Sequence, residues 1–214
     1  MRKTSYAVAF ILVAATLALN IIAVRRNDWI VARDETIPHY KVTVRYGLME
    51  RCERQVIEIP GSDGKLAYTD YQCRPFPASV TDHCEKENRA FCTEWTTAGY
   101  VGELGIWVGA MALLSLIFGV STHSRRRRIW KAVAGLVALH ALFPMITFAV
   151  VSDLYRTSRY PGFEHARFGT AYYLSMVSWV AAFAISFGVI LTGVSAGRGH
   201  RWAAGNRAYT RIED

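Results

Sequence analysis

Four apolar blocks, each long enough to cross a lipid bilayer, constrain this chain more than any other feature. They run from Tyr6 to Val24, from about Tyr100 to Val120, from Trp130 to Val151 and from Ala171 to Val194. A helix rises about 1.5 Å per residue, so a run of about 20 residues covers a hydrocarbon core of about 30 Å. The expected fold is therefore an all-α membrane protein, a bundle of four transmembrane helices. Its organisation reads as a terminus at 1–5, helices at 6–24, 100–120, 130–151 and 171–194, loops at 25–99, 121–129 and 152–170, and a tail at 195–214. With 52% of 214 residues hydrophobic and the charges confined between the blocks, a soluble enzyme core is excluded. Arg2 and Lys3 precede the first block as in a signal peptide. Its apolar run exceeds the usual ~7–15 residues, however, and no small-x-small cleavage site follows, so an uncleaved anchor is expected.

Basic residues set the expected orientation. Arg125, Arg126, Arg127 and Arg128 lie between the second and third blocks, and four adjacent arginines inside lipid would cost on the order of 10 kcal/mol. By the positive-inside rule this segment is cytoplasmic. Both termini then face the cytoplasm as well, with Arg2 and Lys3 at one end and Arg198, Arg201, Arg207 and Arg211 at the other. Arg25 and Arg26 run against the rule, but the loop they begin is longer than about 60 residues, and such loops translocate largely regardless of charge. That loop carries 11 basic and 12 acidic side chains. The net charge of +8 thus belongs to the cytoplasmic face. There the expected contact of Arg125 to Arg128 is anionic lipid, and nucleic acid is not an expected partner.

All four cysteines, Cys52, Cys73, Cys84 and Cys92, fall in the long loop, which argues for two disulfides in an oxidising compartment. Three pairings are possible. Cys52 with Cys73 and Cys84 with Cys92 is preferred, because it nests no loop inside another. A zinc site lacks the CxxC or paired-His spacing it would need, and no metal or other cofactor is expected. From His39 to Tyr46, Tyr40, Val42, Val44 and Tyr46 alternate with Lys41, Thr43 and Arg45, which predicts a strand with one apolar face. Gln55 to Ile59 repeats the alternation less cleanly, a turn falls at 61–64, and Leu66 to Gln72 reads as a third strand. A small disulfide-braced antiparallel β-sheet in the first extracellular loop is expected.

The order of these features resembles the claudin superfamily: claudins, peripheral myelin and epithelial membrane proteins, calcium-channel gamma subunits with their receptor-regulatory relatives, and fungal claudin-like proteins. The family pattern is a Trp after the first helix, then Gly-Leu-Trp-x-x-Cys, then a second Cys. Trp29 matches the first Trp, Gly47 and Leu48 the glycine and leucine, and Cys52 and Cys73 the two cysteines. Met49 stands where the family has its second Trp, the Cys52 to Cys73 interval is longer than in claudins proper, and Cys84 and Cys92 are additional. Extra loop cysteines are more similar to the gamma-subunit or fungal branches. Physically, an indole at Trp29 suits the membrane interface. Gly47 would let the chain turn toward the membrane, with Leu48 and Met49 packing on Trp29.

Small residues predict helix contacts, because packing in lipid depends on close approach. Gly105 and Gly109 form a GxxxG in the second helix, Ala134 and Ala138 a similar pair in the third, and Ser178, Ala182 and Ser186 a stripe in the fourth. Pro144 predicts a bend in the third helix. Two ionisable groups fall within spans. Glu103 is expected to reach the interface or pair with a loop arginine, and His140 to hydrogen-bond a neighbouring helix as the neutral imidazole.

There is no Gly-rich phosphate loop, no GxSxG and no metal-spaced His pair, so no catalytic residues, no enzyme activity and no small-molecule substrate are expected. The resemblance implies a plasma-membrane protein that organises membrane or cell-cell contacts through its extracellular loop. Its expected partners are the lipid bilayer and itself or other membrane proteins in cis or trans. The alternative it implies is an auxiliary, gamma-type subunit of a channel or other membrane complex. A pore is a third reading, with Asp28, Asp34, Glu35 and Arg45 as selectivity charges. The chain ends in Asp214, so the PDZ-binding tail of many claudins does not carry over.

Overall fold

The computed structural model describes residues 3–37, 40–58, 66–121, 123–163 and 165–204. Its elements are helix α1 (Lys3–Arg25), strands β1 (Ile30–Ile37), β2 (Tyr40–Tyr46), β3 (Glu50–Glu58), β4 (Leu66–Tyr68) and β5 (Gln72–Pro75), and helices α2 (Arg89–Ser121) and α3 (His123–Arg156). A 3-10 turn (Pro161–Phe163), strand β6 (Ala166–Phe168), helix α4 (Thr170–Gly197) and the short helix α5 (Arg201–Ala204) follow. Four helices are long and apolar enough to cross a membrane, over Thr4–Arg25, Arg89–Gly119, Ile129–Arg156 and Thr170–Gly197. This is a multi-pass membrane protein with a small antiparallel sheet.

Two boundaries differ from expectation for a physical reason. Helix α2 begins at Arg89, well before the apolar block at Tyr100, because Phe91, Trp95, Ala98 and Gly102 recur at helical spacing and all four are buried. Arg125 to Arg128, read as a loop, lie in the first turns of α3. Arginine is a good helix former, so a run of four continues a helix as readily as it marks the end of a span. The side chains of these four lie outside the described residues. Helix α3 is continuous through Pro144.

The contacts divide the chain into two compact units. One comprises Met1–Asn20, Leu104–Pro144 and Val177–Asp214, the other Ile21–Glu103 and Met145–Met176. The first is helical. Tyr6, Ala9 and Val13 of α1, Ala112 and Leu116 of α2, Val133, Ala134 and Val137 of α3 and Val189 of α4 form its core. Apolar residues point out of it as well: Trp107, Met111, Leu114 and Phe118 on α2 and Phe187, Ile190 and Leu191 on α4 are exposed, as befits faces turned to lipid.

The second unit holds the sheet, with strand order β4-β3-β2-β1-β6 and β5 also paired to β3. All pairings are antiparallel. Register puts Ile30, Tyr46, Arg51 and Arg74 in one row across β1, β2, β3 and β5, and Val31, Arg45, Cys52 and Cys73 in the next. Alternation sends these rows to opposite faces. The 39–46 alternation forms β2 from Tyr40, and its Val44 and Tyr46 are buried together with Ile30 of β1 on one face of the sheet. The segment read as one strand from Leu66 to Gln72 is two strands, β4 and β5, both pairing with β3. The turn at 61–64 lies outside the described residues. Strands β1 and β6 were not foreseen. Strand β6 comes from the second loop and pairs with β1 through Ile30 and Phe168, Val31 and Arg167, and Ala32 and Ala166.

Candidate functional site

The residues of the Trp, Gly-Leu, Cys-Cys pattern meet in the sheet-bearing unit. Trp29 is fully buried, and its indole N–H donates to the carbonyl of Ala23 at 2.7 Å. That carbonyl belongs to the last turn of α1, where intrahelical partners run out, so the indole caps the helix. Its backbone extends the strand pairing at both sides: the Trp29 N–H donates to Tyr46 O at 3.0 Å, and Trp29 O accepts from the Gly169 N–H at 2.9 Å. Its ring packs edge-on against Tyr172 at 6.5 Å.

Glycine at 47 follows from crowding. A Cβ there would stand 2.8 Å from Asn27 Cα and 3.0 Å from Glu50 O, because the chain leaving α1 crosses the β2-β3 hairpin at this point. The Gly47 carbonyl also accepts the indole N–H of Trp95 at 3.2 Å. Leu48 is fully buried and lies, with Val24 and Thr147, around Gly102, while Met49 meets Gly99. Leu48 and Met49 thus take seats at two glycines of α2. The two disulfides are Cys52–Cys73 and Cys84–Cys92. The first ties β3 to β5, and Asn27 Nδ2 lies 2.9 Å from Cys52 Sγ. Glu50 lies beside these two cysteines, but both sulfurs are bound to each other and offer no thiolate to a metal.

Beneath the sheet lies a cluster of six aromatic residues: Tyr46, Phe76, Phe91, Trp95, Tyr160 and Phe163. Phe91 stacks on Tyr160 at 4.7 Å, and Tyr46 meets Phe76 and Phe163 at 5.2 and 5.1 Å. At its margin stands Asp82, whose side chain is wholly shielded from solvent. Arg74 donates twice to it, at 2.7 Å each, the Ala78 N–H donates at 2.7 Å, and the Tyr160 hydroxyl donates at 2.9 Å. Arg51 adds a charge at 3.8 Å and also pairs with Glu53. Burial alone would push the Asp82 carboxyl up, but the hydrogen bonds from Arg74, Ala78 and Tyr160 outweigh it and hold it at about 2. Burial and the carboxylate together push the Tyr160 hydroxyl up. The Cys84–Cys92 bridge pins the turn that carries Asp82 to the first turn of α2. Asp82, Tyr160 and this cluster were missed from sequence. Trp95 and Phe91 at helical spacing were the only signal, since nothing local links Asp82 to a tyrosine 78 positions away.

Two of the charges considered for a pore, Asp28 and Arg45, have contacts within the fold. Asp28 is buried and accepts two hydrogen bonds from Arg26, at 2.8 and 2.7 Å. Burial opposes its ionisation, but the Arg26 guanidinium and the Thr170 side chain keep its carboxyl below the usual range. Arg45 lies over the Tyr71 ring at 4.5 Å. The side chains of Asp34 and Glu35 lie outside the described residues. Glu103 pairs with Arg25 at 3.7 Å.

In the helical unit the small residues are used within the chain. A Cβ on Gly109 would stand 2.6 Å from the His140 ring, and one on Gly105 would stand 3.1 Å from Phe143. His140 is fully buried, with Nδ1 2.9 Å from Gly105 O and Nε2 3.4 Å from the Thr16 hydroxyl. Since a carbonyl only accepts, Nδ1 carries a proton. Ser178 donates to Thr16 O at 2.9 Å, Ser186 to Ala134 O at 3.3 Å, and Ala182 between them is fully buried. No protein-family model matches this chain, and no curated protein sequence matches it.

Proposed function

We propose that this chain is a claudin-like integral membrane protein that organises membrane or cell-cell contacts through the sheet built from its first loop. The observation that carries this reading is the convergence of Trp29, Gly47, Leu48, Cys52 and Cys73 in one folded unit. There the first span is capped, the hairpin is seated on α2 and the sheet is stapled. Such bracing holds a rigid surface at the membrane, which is what a contact-forming protein presents to a partner. Both disulfides support an oxidising compartment for this unit, and the reading takes that side as extracellular, with both termini in the cytoplasm and the plasma membrane as the site of action. The reading assigns the protein no catalytic role.

A second reading, an auxiliary gamma-type subunit of a larger membrane complex, draws support from the Cys84–Cys92 bridge, which claudins proper lack. The two separate by partner. Cells carrying one of two fluorescent fusions of the full chain are placed in contact, and both colours are scored at shared boundaries. Enrichment only where both neighbours express the protein supports contact organisation. A distribution indifferent to the neighbour, together with copurification of a larger complex in mild detergent, supports the auxiliary role instead.

A further inference from the structure

The Cys52–Cys73 bridge joins two residues that stand directly opposite each other on β3 and β5. Its two ends differ in their surroundings. Cys52 is fully buried, whereas Cys73 is exposed. The strand that carries Cys73 is short and lies off the main strand order, paired to β3 from Glu50 and Pro75 to Glu53 and Gln72. The second bridge offers no such end, since Cys92 is buried and Cys84 is half-buried with its sulfur 3.5 Å from Ala78 O.

In thiol–disulfide exchange a thiolate attacks one sulfur and the other leaves, and a better stabilised thiolate leaves faster. The groups about this bridge favour departure from the buried end. Asn27 Nδ2 donates to Cys52 Sγ at 2.9 Å, and such a bond strengthens as the sulfur gains negative charge. Arg45 stands opposite Cys52 in the β2-β3 register, and its guanidinium lies over the ring of Tyr71, two residues before Cys73. Its positive charge is thereby held beside the bridge, where it favours a thiolate. Glu50 acts the other way. Its carboxylate lies within 4.8 Å of both sulfurs and repels an incoming thiolate.

We propose that this bridge is a site of thiol–disulfide exchange, attacked at Cys73 by an external dithiol of the oxidoreductase type. The first thiolate of that dithiol bonds to Cys73 Sγ as the Cys52–Cys73 bond breaks, and the electron pair leaves on Cys52 Sγ, beside Asn27 and Arg45. The second thiol of the reductant then loses its proton and attacks the first sulfur. Cys73 Sγ leaves as a thiolate and the reductant departs as its own disulfide. Two electrons pass to the cysteine pair, and the two protons given up by the reductant end on Cys52 and Cys73. With the bridge open, β5 is held to β3 by strand pairing alone. The residues that follow on this strand, Arg74 and Phe76, reach Asp82 and Trp95, so exchange loosens the link between the sheet and α2. The proposal takes from the function proposed above only the outward placement of this unit.

The test uses full-length protein purified in a neutral detergent, kept under native conditions. Dithiothreitol is the probe for rate, and glutathione the probe for position, because a monothiol leaves its adduct on the cysteine it attacks. Samples are quenched with acid at intervals, free thiols are alkylated, and each cysteine is read by mass spectrometry. The glutathione adduct should form on Cys73 with Cys52 as the free thiol, and Cys52–Cys73 should open about tenfold faster than Cys84–Cys92. Asn27→Ala should slow the opening by about threefold to tenfold, part of the worth of a hydrogen bond to a charged group. Glu50→Gln should speed it by about twofold to fourfold. A substitution that merely loosens the fold speeds reduction, so slowing by Asn27→Ala cannot come from misfolding. An adduct on Cys52, opening of both bridges at one rate or of Cys84–Cys92 first, or an Asn27→Ala variant that opens as fast as wild type would overturn the proposal. Because exchange is read on purified protein, a negative result leaves the cell-contact experiment unaffected, and failure of that experiment leaves the exchange rates unaffected.

Discussion

Asp82→Asn should unfold the sheet-bearing unit at a clearly lower temperature. The substitution keeps the shape of the side chain and removes its charge. Two Arg74 bonds at 2.7 Å, one from the Ala78 N–H at 2.7 Å and one from Tyr160 at 2.9 Å are all donated to the carboxylate. An amide cannot accept all four, and Arg74 loses its counter-charge. Breaking a fully buried pair costs about 3–5 kcal/mol, but Arg74 is a third exposed and regains some hydration. A second route uses the carboxyl itself, which falls from 3.8 to about 2 on folding, worth about 2 kcal/mol of ionic stabilisation. Together they bracket a loss of about 2–4 kcal/mol. That corresponds to a drop in Tm of about 5–15 °C for a chain of this size. Near-ultraviolet circular dichroism in detergent reads it directly, because Tyr160 is stacked in the aromatic cluster. Tyr160→Phe should cost about 1 kcal/mol, and the double variant less than the sum of the two. The folded carboxyl is the more acidic, so its contribution is complete above pH 3.8 and lost as pH falls through about 2. Wild type should therefore lose stability below about pH 4, and Asp82→Asn should show a smaller decrement there. A Tm shift under about 2 °C, or full additivity with Tyr160→Phe, would refute the role given to this carboxylate.

Further outcomes follow from the same contacts. Gly109→Ala places a methyl group 2.6 Å from the His140 ring and should destabilise the helical unit by about 1–3 kcal/mol, whereas Gly135→Ala, with nothing within 4 Å, should be neutral or better in a detergent melting assay. Cys73→Ser opens a 21-residue loop and should cost about 3 kcal/mol, with altered mobility on a non-reducing gel; Cys92→Ser, opening one of 8, should cost less. Arg25→Gln removes an ion pair with one partner largely exposed and should shift stability by less than about 1 kcal/mol in the same melting assay.

Much of the candidate site was legible as residues and little of it as contacts. Trp29, Gly47, Leu48, Cys52 and Cys73 stand out in the sequence by type and order, but the reason for glycine at 47 is the backbone of Asn27, which approaches only in the fold. His140 stands out as an ionisable group in an apolar block, and its bond to Gly105 joins two helices. Asp82 carries no mark at all in its own surroundings.

The sequence alone determined the four spans, since hydrocarbon length and the cost of charge in lipid act on each segment independently. It also determined the alternation of β2 and the confinement of every cysteine to one loop. Tertiary structure decided what required segments distant in sequence to meet. The second loop supplies β6, α2 extends down to Arg89 to bury Phe91 and Trp95, and Tyr160 closes over Asp82. Hydropathy and alternation are local sums over neighbouring residues, while strand pairing depends on register, and register exists only once the strands have paired.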